Sequence, residues 1–319
     1  MSGKLLITLL AIIGVVAVLL GQAEPSRTGE FEAWMTKFSI KYESKFEEAY
    51  RKRVFHENLA KIEKHNSDEL RTYNMGVNQF TALTDEEFKQ TYLGTIVNED
   101  NIEVAKKDYI SVHKVDISAS NVDWVSKGAV TPVKNQGQCV SGWAFSAAGA
   151  IESAYFLKQK SLKNISAQQL VDCARSNMGC NGGYLERAFD WVTTRGLSLE
   201  SDYPYTAKQG TCQRSSGPFT IGTYTQVVPN PDCSPLLIAV SNRPVSVAVD
   251  ASNWKQYSSG IFSDCGTNLN HAALLVVVSD SFYTVKNSWS TSWGEKGFIR
   301  LNRYNNPCGL CSRASFPNI

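Results

Sequence analysis

Gln136-Gly137-Gln138-Cys139-Val140-Ser141-Gly142-Trp143-Ala144-Phe145-Ser146 is the stretch on which the reading of this chain turns. From Trp143 the residues Phe145, Ala148, Ile151, Ala154 and Tyr155 are spaced as in a buried helix running to Leu157. Position 142 falls at the N-terminus of that helix, where the partial positive charge of the backbone would lower the pKa of a thiol. Gly142 stands there and brings no side chain. It keeps a backbone N–H donor and offers no atom that can attack a carbonyl.

Downstream, the four histidines of the chain are His56, His65, His113 and His271. Only His271 belongs to the region that follows the quoted stretch, in Leu269-Asn270-His271-Ala272-Ala273. A lone histidine is more often structural than catalytic, so its neighbours in sequence matter. Asn287-Ser288-Trp289 follows, and then Trp293-Gly294-Glu295. Hydrolysis by a thiol needs a thiolate, an imidazole beside it, a group that orients the imidazole, and donors for the oxyanion.

The quoted stretch resembles the active-site signature of papain and the cathepsins, C-G-[SA]-C-[WY], which has His and Asn about 130–150 residues downstream. Here it reads Cys-Val-Ser-Gly-Trp, with His271 lying 129 residues and Asn287 145 residues after Gly142. The resemblance implies Gln136 as side-chain oxyanion donor, His271 as base, Asn287 as its orienter and Trp289 as their shield. It makes Gly142 the nucleophile position without its cysteine. Ser141 is turned off the cleft by the helix start, and Cys139 is expected in a disulfide, so neither replaces the thiol. Ser290 stands where the family usually has glycine.

Upstream, Phe31, Trp34, Phe38, Phe46, Tyr50, Val54, Leu59 and Ile62 recur with helical period. Glu47, Arg51, Phe55, Asn58, Ile62 and Asn66 match the helical motif of cathepsin L-type pro-peptides at all six positions. Gly76, Asn78 and Phe80 continue that resemblance, whereas Ala82 replaces an aspartate associated in the family with pH-sensitive folding or processing. Thr84 and Glu87 read as a capping box for a short helix. Residues 95–116 show no strong period and, by resemblance, run extended and backwards through the cleft to a junction around 108–118.

The first residues carry a leader pattern. Lys4 precedes the sixteen-residue apolar run Leu5–Leu20, and Gly21-Gln22-Ala23 supplies small residues before a cleavage point. A membrane anchor is the rival reading, but a span needs ~20 residues. Entry to the secretory pathway permits disulfides. All eight cysteines lie after residue 138. One histidine in that region and the single Cys308-x-x-Cys311 pair argue against metal. By resemblance Cys139 pairs with Cys180, Cys173 with Cys212, and Cys265 with Cys308. The remaining Cys233 and Cys311 suggest a fourth bridge.

The expected architecture is an α+β, two-domain papain-like fold, with a helical half (about 122–225), a β-barrel-like half and a cleft between them. Its parts are a signal peptide (1–23), an inhibitory helical pro-peptide (24–115) and a peptidase domain (116–319). Gly142 falls on the helical wall, and His271 and Asn287 on the other. Substrate-side positions carried over are Gly182, Gly183, Tyr184, Leu185, Ala248, Leu269, Ala272 and Arg313, besides Trp289. The glycine pair would let a peptide backbone approach closely. Arg313 either snorkels to solvent or favours an acidic side chain. Asn164-Ile165-Ser166 is a glycosylation sequon, and Ser166 with Gln169 also reads as a capping box.

A net charge of +2, with 19% charged residues, gives no sign of a nucleic-acid surface. No cofactor or metal is expected. The expected partners are a peptide or protein in the cleft and the chain's own pro-peptide as inhibitor, on a monomer free of membrane after leader removal. The compartment expected is secreted, lysosomal or digestive-vacuolar. Three functions fit these residues. One is a cathepsin L-like protein without peptidase activity. Another is an active thiol endopeptidase, if a one-base error turned a TGY codon into GGY. The third is a secreted peptide-binding or storage protein.

Overall fold

The computed structural model describes residues 29–94, 108–109 and 121–319. The leader, the 23/24 and 115/116 boundaries and most of the 108–118 junction lie outside the described residues. The described residues divide into two compact units, with the division between Lys52 and Arg53. In the first, helix α1 (Glu30–Phe38) buries Phe31 and Trp34. Phe31 stacks on Trp34 at 5.6 Å and on Tyr42 at 6.3 Å between centroids. Among the described residues no helix is long and apolar enough to cross a membrane.

Helix α2 spans Lys45–Asn66. Its two asparagines have backbone tasks that periodicity alone does not reveal. Asn58 Nδ2 donates to Thr81 O (2.8 Å) and Leu83 O (2.9 Å). Asn66 Nδ2 donates to Met75 O, and its Oδ1 accepts from Met75 N, both at 2.9 Å. They fix the loop between strand β1 (Tyr73–Met75) and helix α3 (Asp85–Tyr92). The Thr84–Glu87 box is formed at both hydrogen bonds, 3.1 and 2.8 Å.

Helix α4 (Gly142–Gln159) is buried over most of its length, as its small and apolar residues require. Around it pack α5 (Ala167–Cys173) and α6 (Leu185–Arg195). Ser166 caps α5 by accepting from Gln169 N at 3.0 Å. The reciprocal half of the expected box is absent, because the Gln169 amide instead takes Ser198 N (2.6 Å) and donates to Arg214 O (2.7 Å).

The other half holds helix α7 (Ser234–Asn242) and most of a ten-stranded sheet. The remaining strands are β2 (Asp108–Tyr109), β3 (Val122–Asp123), β4 (Thr223–Val227), β5 (Val245–Val249), β6 (Tyr257–Phe262), β7 (His271–Val278), β8 (Phe282–Lys286), β9 (Phe298–Asn302) and β10 (Ala314–Asn318). Their order is β1-β6-β9-β8-β7-β5-β10-β4-β2, with β3 on β7. The sheet is open, which corrects the barrel-like expectation. Its two ends, β1 and β2, both come from the chain before residue 110 and pair with different strands. A second hydrophobic core, built around Trp254, Trp289 and Trp293, fills this half. Four disulfides form, Cys139–Cys180, Cys173–Cys212, Cys265–Cys308 and Cys233–Cys311.

Candidate active site

His271 opens β7, and Asn287 directly follows the end of β8, so two neighbouring strands bring them together. His271 Nε2 lies 2.8 Å from Asn287 Oδ1, which also accepts from Ser288 N at 2.8 Å. An amide oxygen only accepts, so Nε2 carries the ring proton and Nδ1 presents a lone pair. The Trp289 ring lies 4.9 Å from the imidazole at an interplanar angle of 30°. Trp254 adds an edge contact at 6.4 Å. His271 is 1% exposed. That burial pushes its pKa down from 6.5 to about 4, against the opposing effect of the hydrogen bond to Asn287.

Gly142 begins α4 directly opposite this ring. An ideal Cβ at 142 would lie 2.9 Å from His271 Nδ1, 2.6 Å from Cε1 and 3.0 Å from Ala272 O. The free nitrogen therefore faces the position where a side chain is missing, and the ring sits closer than a Cβ tolerates. Ser141 is turned away and fully buried. Its Oγ shares a hydrogen bond with Tyr205 OH at 2.6 Å, and Tyr205 in turn donates to Gln136 O at 2.8 Å.

Gln136 is buried beside the helix start, with its amide set by three contacts. Oε1 accepts from Ser288 Oγ at 2.8 Å. Nε2 donates to Cys139 O at 3.1 Å and to Tyr92 O at 3.2 Å. Tyr92 ends α3, so the amide expected to serve an oxyanion is taken by a carbonyl of the upstream segment. Two residues on, Gly94 N donates to Asn270 O at 2.8 Å. A Cβ on Gly182 would run into Gly94 O, which is why this close approach needs glycine.

The remaining positions divide between the walls. Tyr184 and Leu185 are buried at the start of α6, and Gly183 packs against Trp143 and Asn177. Ala248 and Ala272 are register partners on β5 and β7, and Ala248 N donates to Arg313 O at 2.9 Å. Leu269 packs against Gly309. Arg313 neither snorkels nor stands free. Its Nη2 and Nε donate to Glu186 at 2.8 and 3.3 Å, joining the sheet wall to α6 through a carboxylate that is 1% exposed. Sequence reasoning missed Glu186, Ser288 and Tyr92. Only Ser288 had a local signal, its place beside Asn287.

Below the site, Lys286 Nζ donates to Thr131 Oγ1 at 2.9 Å, and Thr131 donates to Glu152 at 2.6 Å. Lys134 bridges Glu152 (3.1 Å) and Glu200 (2.7 Å). Burial pushes the Lys286 pKa down to about 8 despite Glu152. Through Thr131 and Lys134, Glu152 on α4 is tied to Lys286 on β8 and to Glu200.

The profile described as "Papain family cysteine protease" matches residues 118–318, and "Cathepsin propeptide inhibitor domain (I29)" matches residues 31–88. Cathepsin L 2 of Paramecium tetraurelia is 40% identical, with 89% of this chain and 90% of that protein covered. Digestive cysteine proteinase 1 of Homarus americanus is also 40% identical, with 96% and 99% covered. Among solved structures, a recombinant stem bromelain precursor superposes with a TM-score of 0.83 at 37% identity, covering 91% of this chain and 98% of that one. The digestive procathepsin L 3 of Tenebrio molitor larval midgut gives 0.83 at 34% identity, with 93% and 100% covered.

Proposed function

This chain belongs to the papain family of cysteine proteases, as a cathepsin L-like member with an inhibitory propeptide domain, and from that premise we propose that it does not hydrolyse peptides. In this reading Gly142 holds the nucleophile position, His271 and Asn287 keep the base and its orienter, and Gln136 keeps the oxyanion donor. The observation that carries it is the aim of His271 Nδ1 at a Cβ-less residue, with an ideal Cβ 2.9 Å away. No neighbour supplies a thiol, because all eight cysteines form disulfides. What remains is a cleft able to bind a peptide or protein, with Gly182 and Gly183 admitting its backbone.

The precursor is read as a monomer entering the secretory pathway through residues 1–23, for secretion or for a lysosomal or digestive compartment. Another protease would remove residues 24–115. The test is labelling of the native, mature protein with a peptidyl epoxide that alkylates thiolates. The expected result is no adduct on wild type and one adduct, at position 142, on Gly142→Cys. An adduct on wild type would refute the reading.

A further inference from the structure

Helix α4 starts without the groups that commonly satisfy a helix N-terminus. Ser141, just before it, makes no side-chain cap, and no acidic residue stands in its first turn. Ala144 N and Phe145 N donate back to Ser141 O at 2.9 and 3.1 Å. The N–H groups of Gly142 and Trp143 have no acceptor among the described residues. Two open donors at the positive end of an 18-residue helix favour an anion.

An independent feature is aimed at the same place. His271 is 1% exposed and holds Asn287 through Nε2. Its Nδ1 points at Gly142 and has no partner among the described residues. In an intact thiol protease an anionic sulfur fills this space, and the ring beside it is charged. Here the groups that would hold the anion remain, and the chain supplies no anion. A ligand oxygen is not tied to the 142 Cα as a Cβ is. It can meet Nδ1 without the close contact that a side chain would make with Cε1.

We infer that in the processed protein this notch receives the C-terminal carboxylate of a peptide lying in the cleft. The inference rests on position 142 being inert, and it specifies the ligand: a peptide end released by another protease, not an internal stretch of chain. The groove already accepts backbone oxygens in the precursor, where Tyr92 O takes Gln136 Nε2 and Gly94 O closes on Gly182. Removal of that segment frees one Gln136 donor beside the helix start.

A carboxylate cannot face a lone pair, so its arrival requires a proton from solvent on Nδ1. The groups that touch the ring are Asn287, the Trp254 and Trp289 rings, Val249 on β5 and Gly142 on α4, and none of them carries a charge. The charges of the wall below, Lys286, Lys134 and Glu152, are engaged with Thr131 and with one another. Burial keeps the empty ring neutral down to about 4, and a bound carboxylate raises that value. The complex therefore holds one proton more than its separated parts. Affinity should climb as pH falls, by up to about tenfold per pH unit. It should level off near pH 4, where the empty ring charges and the peptide carboxyl, with an ordinary value of about 3.5, begins to protonate.

Titration calorimetry on protein processed from the full-length precursor tests this. The probes are N-acetyl-Ala-Leu-Gly with a free carboxylate and the same peptide as its C-terminal amide, from about pH 7 to about pH 4.5. The acid should bind at least about tenfold more tightly than the amide at the acidic end. It should take up a proton, read from buffers of different ionisation enthalpy, whereas amide binding should stay flat with pH. His271→Gln, checked for its fold by near-ultraviolet circular dichroism, should flatten the acid's profile. Equal affinities of acid and amide for wild type would overturn the site, as would absence of binding by both. An unaltered acid profile in folded His271→Gln would overturn it too. Displacement of the peptide acid by an equal concentration of acetate would leave a bare anion hole and overturn the peptide as ligand. Cleavage of either probe by wild type, read by mass, would instead refute the inert position 142 and this inference with it.

Discussion

An imidazole facing a thiol can hold a positive charge because a thiolate lies beside it. His271 faces Gly142 and has no such anion, so burial outweighs the hydrogen bond to Asn287 and keeps the ring neutral down to about pH 4. The sign of the resulting pH dependence follows. Between pH 6.5 and about 4 the unfolded chain binds a proton on this ring and the folded chain does not. Stability should therefore rise with pH across that window and fall on acidification, by up to ~3 kcal/mol. Denaturant midpoints at pH 4 and pH 6.5 measure it. His271→Gln should show a smaller difference between the two pH values than wild type, and an equal difference would assign the effect to other groups.

Between elements, the Arg313–Glu186 pair links β10's entry to the start of α6. With its guanidinium already engaged by a buried carboxylate, wild type should show no preference for acidic side chains among blocked dipeptides. Glu186→Gln frees half of that interaction and should gain such a preference, about tenfold by competition binding. Arg313→Ala, leaving the carboxylate unpaired, should cost about 3 kcal/mol of stability. A wild-type acidic preference unchanged in Glu186→Gln would contradict this pairing. The sequence had left Arg313 between two readings, because its partner lies 127 residues away. What was legible was local: the period of α2, the helix after Gly142, and the Thr84–Glu87 box. Ser166–Gln169 read the same way, yet tertiary acceptors drew the glutamine off.

Across the whole molecule, resemblance foresaw the two walls, and the structure opened the expected barrel into a sheet whose end strands come from the upstream segment. It also joined the leftover cysteines, Cys233 and Cys311, across 78 residues. These features keep the His271 ring, held by Asn287, aimed at one residue without a side chain. Loss of the nucleophile should leave at most the residual catalysis of an oxyanion site, orders of magnitude below an intact one. The most direct measurement is hydrolysis of a fluorogenic dipeptide amide by mature wild type and mature Gly142→Cys, after the processing protease has been inactivated. The account predicts background rates for wild type and measurable turnover for the variant, limited because His271 must shift to admit a Cβ. Turnover by wild type, with Gly142 verified by mass, would contradict it.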